Sequence, residues 1–283
     1  MKSNIIVPLK GRLGNHFFQI FFAQIISKKS NSNFCIQLSK NHTIPEISKM
    51  CCIEKISKNT PGLLRINEMC IEENTPYKFV FNNEVYDWKI ESIVDIINSH
   101  PENNFNIVGF FQNYKFYTEY TDEMKKFISN TEGFRKNKFN FGTNSAGIQI
   151  RKGDIQGRTP DLPDNWYLSF AERYKHLQLY ITTDSPESYI CNKLINDYGA
   201  IFVGEGGLGL IDPLEQMAAI SNCNYLCLSQ GTFAYWCGFM SNNKVFNIVA
   251  KNGWNTNNPI KAHLIDPKFK WIHEEDVCPD SFD

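Results

Sequence analysis

Hydrophobic and polar positions alternate along the chain with a period that changes from strand-like to helix-like several times in the first half. A short apolar segment at residues 4–9 runs into a glycine turn, a helix at 16–28 and a second strand at 34–38. A strand, a turn, a helix and a strand in this order open a nucleotide-binding type of α/β layer. Residues 40–100 have a weaker pattern with a helix at 91–98, followed by a strand at 106–111 and a helix at 119–129.

The second half alternates more regularly. Apolar strands are predicted at 146–150, 177–182, 200–204, 224–229 and 244–249, and helices at 165–176, 185–198, 212–222 and 232–240. Asp164 is expected to cap the first of these helices, and Ser185-Pro186 and Asp212-Pro213 are expected to open the second and third. Alternation at this spacing predicts a parallel sheet with helices on both faces. The Asn- and Lys-rich segment 130–144 is the best linker, which predicts domains at residues 1–140 and 141–283.

Composition narrows the class of protein. The chain has 283 residues, of which 42% are hydrophobic and 21% charged, enough to bury the cores of two modest domains. A net charge of −1 argues against nucleic acid as a partner. No stretch approaches the roughly 18 uncharged apolar residues of a membrane span, and no signal peptide is recognisable, so we predict a cytoplasmic protein without an integral membrane segment. The nine cysteines show no CxxC or zinc spacing, which indicates reduced, mostly buried thiols.

Polar residues follow four of the predicted strands. Ligands of open parallel sheets bind beyond the carboxyl ends of the strands, so these residues are the candidate site. They are Gly11, Arg12, Gly14 and Asn15; Arg151, Lys152, Gly153 and Asp154; Thr183 and Asp184; and Gly231, Thr232 and Phe233. Each group also has a purely structural interpretation, as a tight turn, a solvated basic pair or a helix cap. Two of only six arginines lie here, where a bidentate donor suits phosphate oxygens. Together, the four groups suit a diphosphate and a nucleoside.

Five segments match, in order, the motifs of one family. They are Gly11–Gln19 for Gly-x-Leu-Gly-Asn-Gln, Gly109–Gln112 for Gly-Tyr-Phe-Gln, Gln149–Asp154 for His-x-Arg-Arg-Gly-Asp, Thr182–Ser185 for a Ser-Asp-Asp stretch, and Met217–Trp236 for Met-x-x-Cys and Asn-Ser-Thr-Phe-Ser-Trp-Trp. Over nearly its whole length the chain resembles the α-1,2-fucosyltransferases (glycosyltransferase family 11) and, more loosely, the wider fucosyltransferase group that includes protein O-fucosyltransferases. It departs from the pattern at Gln149, at Lys152 and at four positions of the last aromatic motif.

The resemblance implies an α/β fold of the GT-B kind, with two Rossmann-like domains built on parallel sheets. It implies that the carboxyl-terminal domain binds GDP-fucose and that the amino-terminal one lies nearer the glycan acceptor. It further implies an inverting transfer, with O-2 of a terminal galactose as the expected acceptor atom, and neither metal nor cofactor. The sequence contains no Asp-x-Asp, which agrees with a metal-free reaction.

Roles follow for individual residues. Arg151 is expected to hold the β-phosphate, as the family's first signature arginine does, helped by Arg12, Lys152 and the amides at Gly231-Thr232. Asp184, with Thr183, is the candidate for the guanine edge, and Asn15 is expected to orient the sugar or phosphate. The general base stays open between Asp154, Asp161 and His16, and Asp154 has the alternative of bracing Arg151 or Asn15.

Other functions remain open at this stage. The donor could be another GDP-linked sugar. The altered motifs, Gln149 above all, are also compatible with a catalytically weak module that binds nucleotide or glycan. A dinucleotide-dependent oxidoreductase is disfavoured because no GxGxxG follows any strand. The aromatic stretch Gly109–Tyr117 is either core or a platform on which a sugar stacks.

Overall fold

The computed structural model describes residues 2–37, 63–68, 78–87, 89–137, 139, 141–153, 162–250 and 266–283. Contacts divide the chain into two compact units, Met1–Tyr120 and Thr121–Asp283. The division therefore lies before the segment 130–144 in which composition alone places the linker. Each unit contains one six-stranded sheet.

The first unit is a parallel-rich α/β layer. Its elements are β1 (Asn4–Pro8), α1 (Leu13–Ser30), β2 (Asn33–Gln37), β3 (Leu63–Glu68), β4 (Lys78–Phe81), β5 (Glu84–Asp87), α2 (Ile90–Ser99) and β6 (Asn104–Val108). The strand order is β2-β1-β6-β3-β4-β5. The first four strands of this order pair in parallel, whereas β4 and β5 add an antiparallel edge. Asn82 and Asn83 have φ values of 49° and 65°, and this left-handed pair makes the tight turn between β4 and β5.

Helix α1 forms one wall of this unit. It begins at Leu13, three residues before the start expected from hydrophobicity, because the carbonyl of Arg12 accepts hydrogen bonds from the amides of Asn15 and His16. The glycine turn is thus the first turn of the helix. Most of the helix is buried, and it ends at Asn31, which adopts the left-handed conformation with φ 51°.

The second unit is fully parallel. Its elements are α3 (Thr121–Ser129), α4 (Glu132–Lys136), β7 (Ser145–Ile150), α5 (Asp164–Arg173), β8 (Gln178–Thr183), α6 (Tyr189–Tyr198), β9 (Ile201–Phe202), α7 (Pro213–Ser221), β10 (Tyr225–Cys227), α8 (Thr232–Met240), β11 (Lys244–Val249) and β12 (Lys270–His273). The strand order is β12-β11-β10-β7-β8-β9, and all neighbours pair in parallel. Strand β12 has no counterpart in the sequence-based prediction.

Close packing joins α4 to the second unit. Helix α4 lies against the start of α7, and a Cβ on Gly133 would be 2.5 Å from Asp212 Oδ2 and 2.8 Å from Leu214 Cβ. Only glycine allows this approach. The helix predicted at 119–129, which sequence analysis assigns to the amino-terminal domain, therefore belongs to the second unit as α3, and α4 lies within the segment predicted as the linker.

Two of the three expected helix starts differ in the structure. Asp212 caps α7 as predicted, because its Oδ1 accepts from the Leu214 amide at 2.8 Å. Ser185-Pro186 instead form a turn before α6, in which the Ser185 hydroxyl donates to Glu187 Oε1 at 2.6 Å. Asp164 is the first residue of α5 rather than its cap.

The core of the second unit is strongly aromatic and includes thiols. Trp166, Phe170, Phe246 and Phe282 are completely buried together. Cys191, Cys223, Cys227 and Cys237 are buried thiols, and burial raises the pKa of Cys223 to about 12. Within the described ranges, no helix has both the length and the apolar character needed to span a membrane.

Candidate functional site

The strand order of the second sheet determines where a ligand is expected. From β7 the chain proceeds to β8 and β9 on one side, and then crosses to β10, β11 and β12 on the other. The direction of winding thus reverses between β7 and β10, which pair directly from Tyr225 against Ala146 to Cys227 against Ile148. In open α/β sheets the crevice at such a reversal, beyond the carboxyl ends of the strands, is the usual ligand site.

Arg151 and Gly231 meet at this reversal. Arg151 follows β7, and Gly231 precedes α8 with φ 110°, a conformation that favours glycine. A Cβ on Gly231 would collide with Nη1 of Arg151, so the guanidinium lies against the start of the helix. Arg151 and Gly231 are 80 positions apart in the sequence and follow two different predicted strands, and the fold brings them together.

Gln149 links the same two strands from inside. It is 5% exposed, and its Oε1 accepts a hydrogen bond from the Ser229 hydroxyl, while its backbone carbonyl accepts from the Ser229 amide at 3.0 Å. The residue that departs from the signature histidine is therefore a buried structural link between β7 and β10. Arg151, two residues later, keeps its place beside α8.

Asp184 shapes the loop that carries Arg151. Its Oδ1 accepts from the amides of Lys152 and Gly153 at 3.0 and 3.1 Å. A Cβ on Gly153 would lie 2.8 Å from the backbone oxygen of Asp184, so the loops after β7 and β8 are in close contact. Thr183, the other candidate on β8, accepts through its hydroxyl from the Ser185 amide at 3.0 Å.

The ammonium of Lys152 is held at the start of α5. Its Nζ donates to the carbonyl of Leu162 at 2.8 Å and pairs with Asp164 Oδ1 at 3.1 Å. It also lies 5.9 Å from the centroid of the Tyr167 ring. With a side chain only 12% exposed, Lys152 anchors the loop in this structure rather than extending beside Arg151.

Helix α8 presents its amino-terminal amides at the candidate site. Thr232 is its first residue and is 8% exposed, and Phe233 beside it is half-buried. The first-turn N–H groups of a helix lack intrahelical acceptors, and the helix dipole favours an anion there. Thr232 and Phe233 thus supply backbone donors on the side of the helix where Arg151 lies.

Lys268 fixes the opposite end of α8 and was missed in the sequence analysis. Its Nζ donates to the carbonyls of Phe239 and Ser241 at 2.7 and 2.9 Å, and to Gly238 at 3.3 Å. Burial, reinforced by nearby Lys125, lowers the pKa of Lys268 to about 8. A cation at a helix carboxyl terminus stabilises the helix. Lys268 therefore stabilises α8 at the end opposite to Arg151.

A glycine loop after β9 was also missed, although its sequence signal is plain. Gly204, Gly206, Gly207 and Gly209 follow the strand at the same edge of the sheet. A Cβ on Gly207 would overlap the backbone oxygen of Phe202, so the loop closes tightly on its own strand. Two hydrogen bonds connect β8 to the residue that follows this loop. The Thr182 hydroxyl donates to Oε1 of Gln216, and Nε2 of Gln216 donates to the carbonyl of Leu210 at 2.8 Å.

In the first unit, the corresponding reversal lies between β1 and β6. Gly11 follows β1 with φ 79°, and a Cβ there would collide with the side-chain nitrogen Nδ2 of Asn15. The Oδ1 of Asn15 accepts from Gln112 Nε2 at 2.8 Å, which fixes the side chain at the carboxyl edge. Arg12 is exposed at the start of α1, and Gly14 is buried in its first turn.

The candidates for the general base separate clearly. His16 is 1% exposed inside α1, so its imidazole is not accessible to an acceptor in this structure, and we place Asp154 and Asp161 ahead of it. Asp154 and Asp161 lie outside the described residues. In the part of the chain that the structure covers, no three His, Cys, Asp or Glu side chains are grouped as metal ligands would be.

Comparison of the sequence with known proteins identifies a family. The family model described as "Glycosyl transferase family 11" matches residues 4–275. An Escherichia coli protein named alpha-1,2-colitosyltransferase is 21% identical over 304 residues, covering 96% of this chain and 99% of its own.

Two solved structures show the same fold at 10% identity. A mutant of Arabidopsis thaliana FUT1 in complex with GDP has a TM-score of 0.51 and covers 87% of this chain and 70% of its own. NodZ, an alpha-1,6-fucosyltransferase soaked with GDP-fucose, has a TM-score of 0.50 and covers 85% and 93%. The two parallel-rich α/β units of this chain and its likeness to these two structures confirm the predicted GT-B-like fold class. Because the family model spans nearly the whole sequence, the chain belongs to glycosyl transferase family 11.

Proposed function

We propose that this glycosyltransferase moves fucose from GDP-fucose to a glycan hydroxyl, with inversion and without a metal ion. One observation carries the proposal: the Arg151 guanidinium lies against the amino-terminal turn of α8 at the β7/β10 reversal. A bidentate cation and helix amides converge there, and together they suit a diphosphate.

The proposed reaction is a single displacement. The acceptor oxygen attacks the anomeric carbon, the bond from that carbon to the β-phosphate oxygen breaks, and GDP leaves with the electron pair. Arg151 and the backbone amides of Thr232 and Phe233 stabilise the negative charge that develops on the diphosphate. The acceptor proton passes to a base, for which Asp154 and Asp161 remain the candidates. A cation-like transition state requires only a weak base.

We assign Asp184 a positioning role in this scheme. A bidentate contact with guanine would engage both carboxylate oxygens, whereas Oδ1 of Asp184 already accepts from the amides of Lys152 and Gly153. Asp184 would thereby hold the Arg151 loop in its binding geometry. Recognition of guanine by Asp184 is the alternative that a substitution can test.

The proposed acceptor atom is O-2 of a terminal galactose. The motif resemblance to α-1,2-fucosyltransferases supports this linkage, and the name of the E. coli relative contains the same linkage. That name also motivates a second candidate, transfer of colitose or another sugar from its GDP conjugate. The two candidates share the diphosphate site and differ in the sugar that is transferred.

A thermal-shift assay in EDTA tests the nucleotide. GDP should stabilise the protein by about 2.7 kcal/mol at a hundredfold excess over its dissociation constant, and UDP and ADP should not. A larger shift with UDP would overturn the donor assignment, and activity that strictly requires manganese would overturn the metal-free mechanism.

Transfer assays then test sugar and linkage. The protein is incubated with GDP-fucose or GDP-colitose and with terminal galactosides, glucosides and N-acetylhexosaminides, and NMR locates the new bond. An α-1,2-fucosyl galactoside is the expected product. Preference for GDP-colitose would select the second candidate. Slow hydrolysis of GDP-fucose with every acceptor inert would instead support a binding module.

A further inference from the structure

The aromatic stretch after β6 contains two core residues, two half-buried rings (Tyr114 and Phe116) and one exposed ring. Phe111 and Tyr117 are 0% and 1% exposed, and the Phe111 ring stacks on Phe22 with centroids 4.1 Å apart. The Tyr117 hydroxyl donates to the carbonyl of Phe111 at 2.6 Å. These two residues are core. Phe110 is different, because 41% of it is exposed.

A carboxylate clamps the turn that carries Phe110. Oε2 of Glu68, the last residue of β3, accepts from the Phe110 amide at 2.5 Å, and both of its oxygens accept from the Phe111 amide at 3.3 and 3.4 Å. Phe111 has φ 54°, in the left-handed region that a non-glycine residue adopts at a cost. The clamp therefore holds a turn that directs Phe111 into the core and Phe110 outward.

The turn lies where the first sheet is expected to bind a ligand. Strand β6 lies between β1 and β3, and the winding direction reverses between β1 and β6. Gln19 joins the two strand ends, since its Oε1 accepts from the Lys10 amide at 3.0 Å and its Nε2 donates to the carbonyl of Gly109 at 2.9 Å. Gln112, two residues after Phe110, donates a hydrogen bond from Nε2 to Oδ1 of Asn15.

Burial makes the clamp costly, which argues against an incidental role. Desolvation raises the pKa of Glu68, although the amides of Phe110 and Phe111 and the charge of Lys10 act in the opposite direction. Strained backbone is concentrated at functional sites, and here a half-buried carboxylate holds it. The other large exposed apolar residues in the described ranges do not follow a strand at this reversal; they are Val85, Tyr189, Ile195 and Ile211.

We propose that the exposed ring of Phe110 is the face on which the terminal pyranose of the acceptor packs, and that Glu68 is the positioning residue that presents it. The C–H face of a pyranose is apolar and matches an aromatic ring, while hydrogen bonds at its edge fix its orientation. Asn15 and Gln112 supply amide groups beside this turn. The inference rests on the proposed glycosyl transfer and names its acceptor subsite.

Steady-state kinetics with two varied substrates test it. In Phe110→Ala, KM for the galactoside should rise by up to about tenfold, as expected for the loss of an aromatic contact, whereas kcat and KM for GDP-fucose should change less than about twofold. Phe110→Tyr should restore the wild-type KM. Tyr189→Ala removes an aromatic residue of the second unit that is even more exposed than Phe110, at 68%, and should change neither constant. An unchanged acceptor KM in Phe110→Ala overturns the proposal.

Glu68→Gln tests the clamp separately. The amide keeps an oxygen that can accept from the Phe110 amide, but it places an NH2 group where Oε1 accepts from the Phe111 amide. The acceptor KM should therefore rise, although less than in Phe110→Ala, while circular dichroism stays native. Wild-type acceptor binding in a folded Glu68→Gln variant would remove the positioning role. Should that variant not fold, Glu68→Asp, which keeps the charge and shortens the reach, provides the same comparison.

A binding measurement separates this inference from the proposed function. Saturation-transfer-difference NMR with methyl β-galactoside needs no turnover. If the wild type transfers no sugar but binds the galactoside, and Phe110→Ala loses the signal, the proposed function fails and the subsite stands. No signal with the wild type, or an equal signal in both proteins, overturns the subsite.

Discussion

The guanidinium of Arg151 occupies the space that any side chain at position 231 would need. Gly231 has φ 110°, and a Cβ there would collide with Arg151 Nη1. The glycine before α8 is therefore required twice, for its backbone conformation and for the close approach of the arginine. This relationship ties the candidate phosphate donor to the helix amides that we propose to act with it.

Gly231→Ala should weaken GDP binding and lower turnover by on the order of a hundredfold, because Arg151 must move away from the helix. Gly142→Ala is the matched control. Gly142 has φ 65°, and a Cβ there would meet no atom within 4 Å, so it tests a positive φ, at a cost of about 1 kcal/mol, without the collision. At φ 110° and ψ 172°, Gly231 lies in a region that is essentially restricted to glycine, so its variant should also lose more stability. Isothermal titration with GDP and denaturant unfolding measure the two effects. Equal loss of GDP affinity in both variants would contradict this explanation.

Arg151→Ala should abolish nearly all transfer while the fold remains intact, since one preorganised charge-stabilising donor typically contributes a hundredfold or more to the rate. Arg151→Lys should remain strongly impaired because an ammonium cannot make the bidentate contact. Arg135→Ala, in the exposed last turn of α4, is the control. Similar activity loss in the Arg151 and Arg135 variants, with both folded, would mean that the site lies elsewhere.

Asp184→Asn and Asp184→Ala distinguish a loop brace from a guanine contact. Asparagine retains an oxygen for the amides of Lys152 and Gly153, whereas alanine removes it. We expect GDP affinity close to wild type in the Asn variant and a clear loss in the Ala variant. The loss of stability should be roughly 1 kcal/mol or less, because the group is exposed. If the Asn variant loses GDP affinity as severely as the Ala variant, the carboxylate reads the base.

The stability contribution of Glu68 should fall as pH rises. Desolvation raises its pKa above the ordinary 4.5, so the folded state binds more protons than the unfolded state between the two values. The contribution is therefore fully present below pH 4.5 and is lost as pH passes the raised pKa. Urea unfolding of the wild type and Glu68→Gln over this range provides the difference, which should decrease with pH. A difference that is flat or increases with pH contradicts the prediction.

Much of the fold follows from the sequence because its signals are local. The apolar segments of β7, β8, β10 and β11, the Asp212-Pro213 cap and the glycine turns are each specified within a few residues. Placing candidate residues after predicted strands needed only the rule that ligands of parallel sheets bind at the carboxyl ends. That rule alone selects Arg151 and Gly231, which are in contact in the structure.

Sequence-based prediction was wrong or silent where a competing side-chain hydrogen bond, or a partner far away in the sequence, determined the local structure. Ser185-Pro186 has the composition of a helix start, yet its side chain bonds Glu187 and forms a turn. Strands β3, β4 and β12 are short and variable in pattern, and pairing with neighbours stabilises them. Glu68 gave no signal at all, because its partners Phe110 and Phe111 lie more than 40 residues away.

The sequence by itself determined the α/β class, the family and a set of strand-end residues suited to a diphosphate. Only the tertiary structure decided which of those ends meet. The order of strands in a sheet depends on pairing between segments far apart in the chain, such as β7 with β10, and no local pattern encodes it. That order brings Arg151 to Gly231. The folded structure likewise pairs Lys152 with Asp164 and buries His16 in α1. Side chains that look equivalent in sequence thereby acquire different surroundings, and those surroundings determine their chemistry.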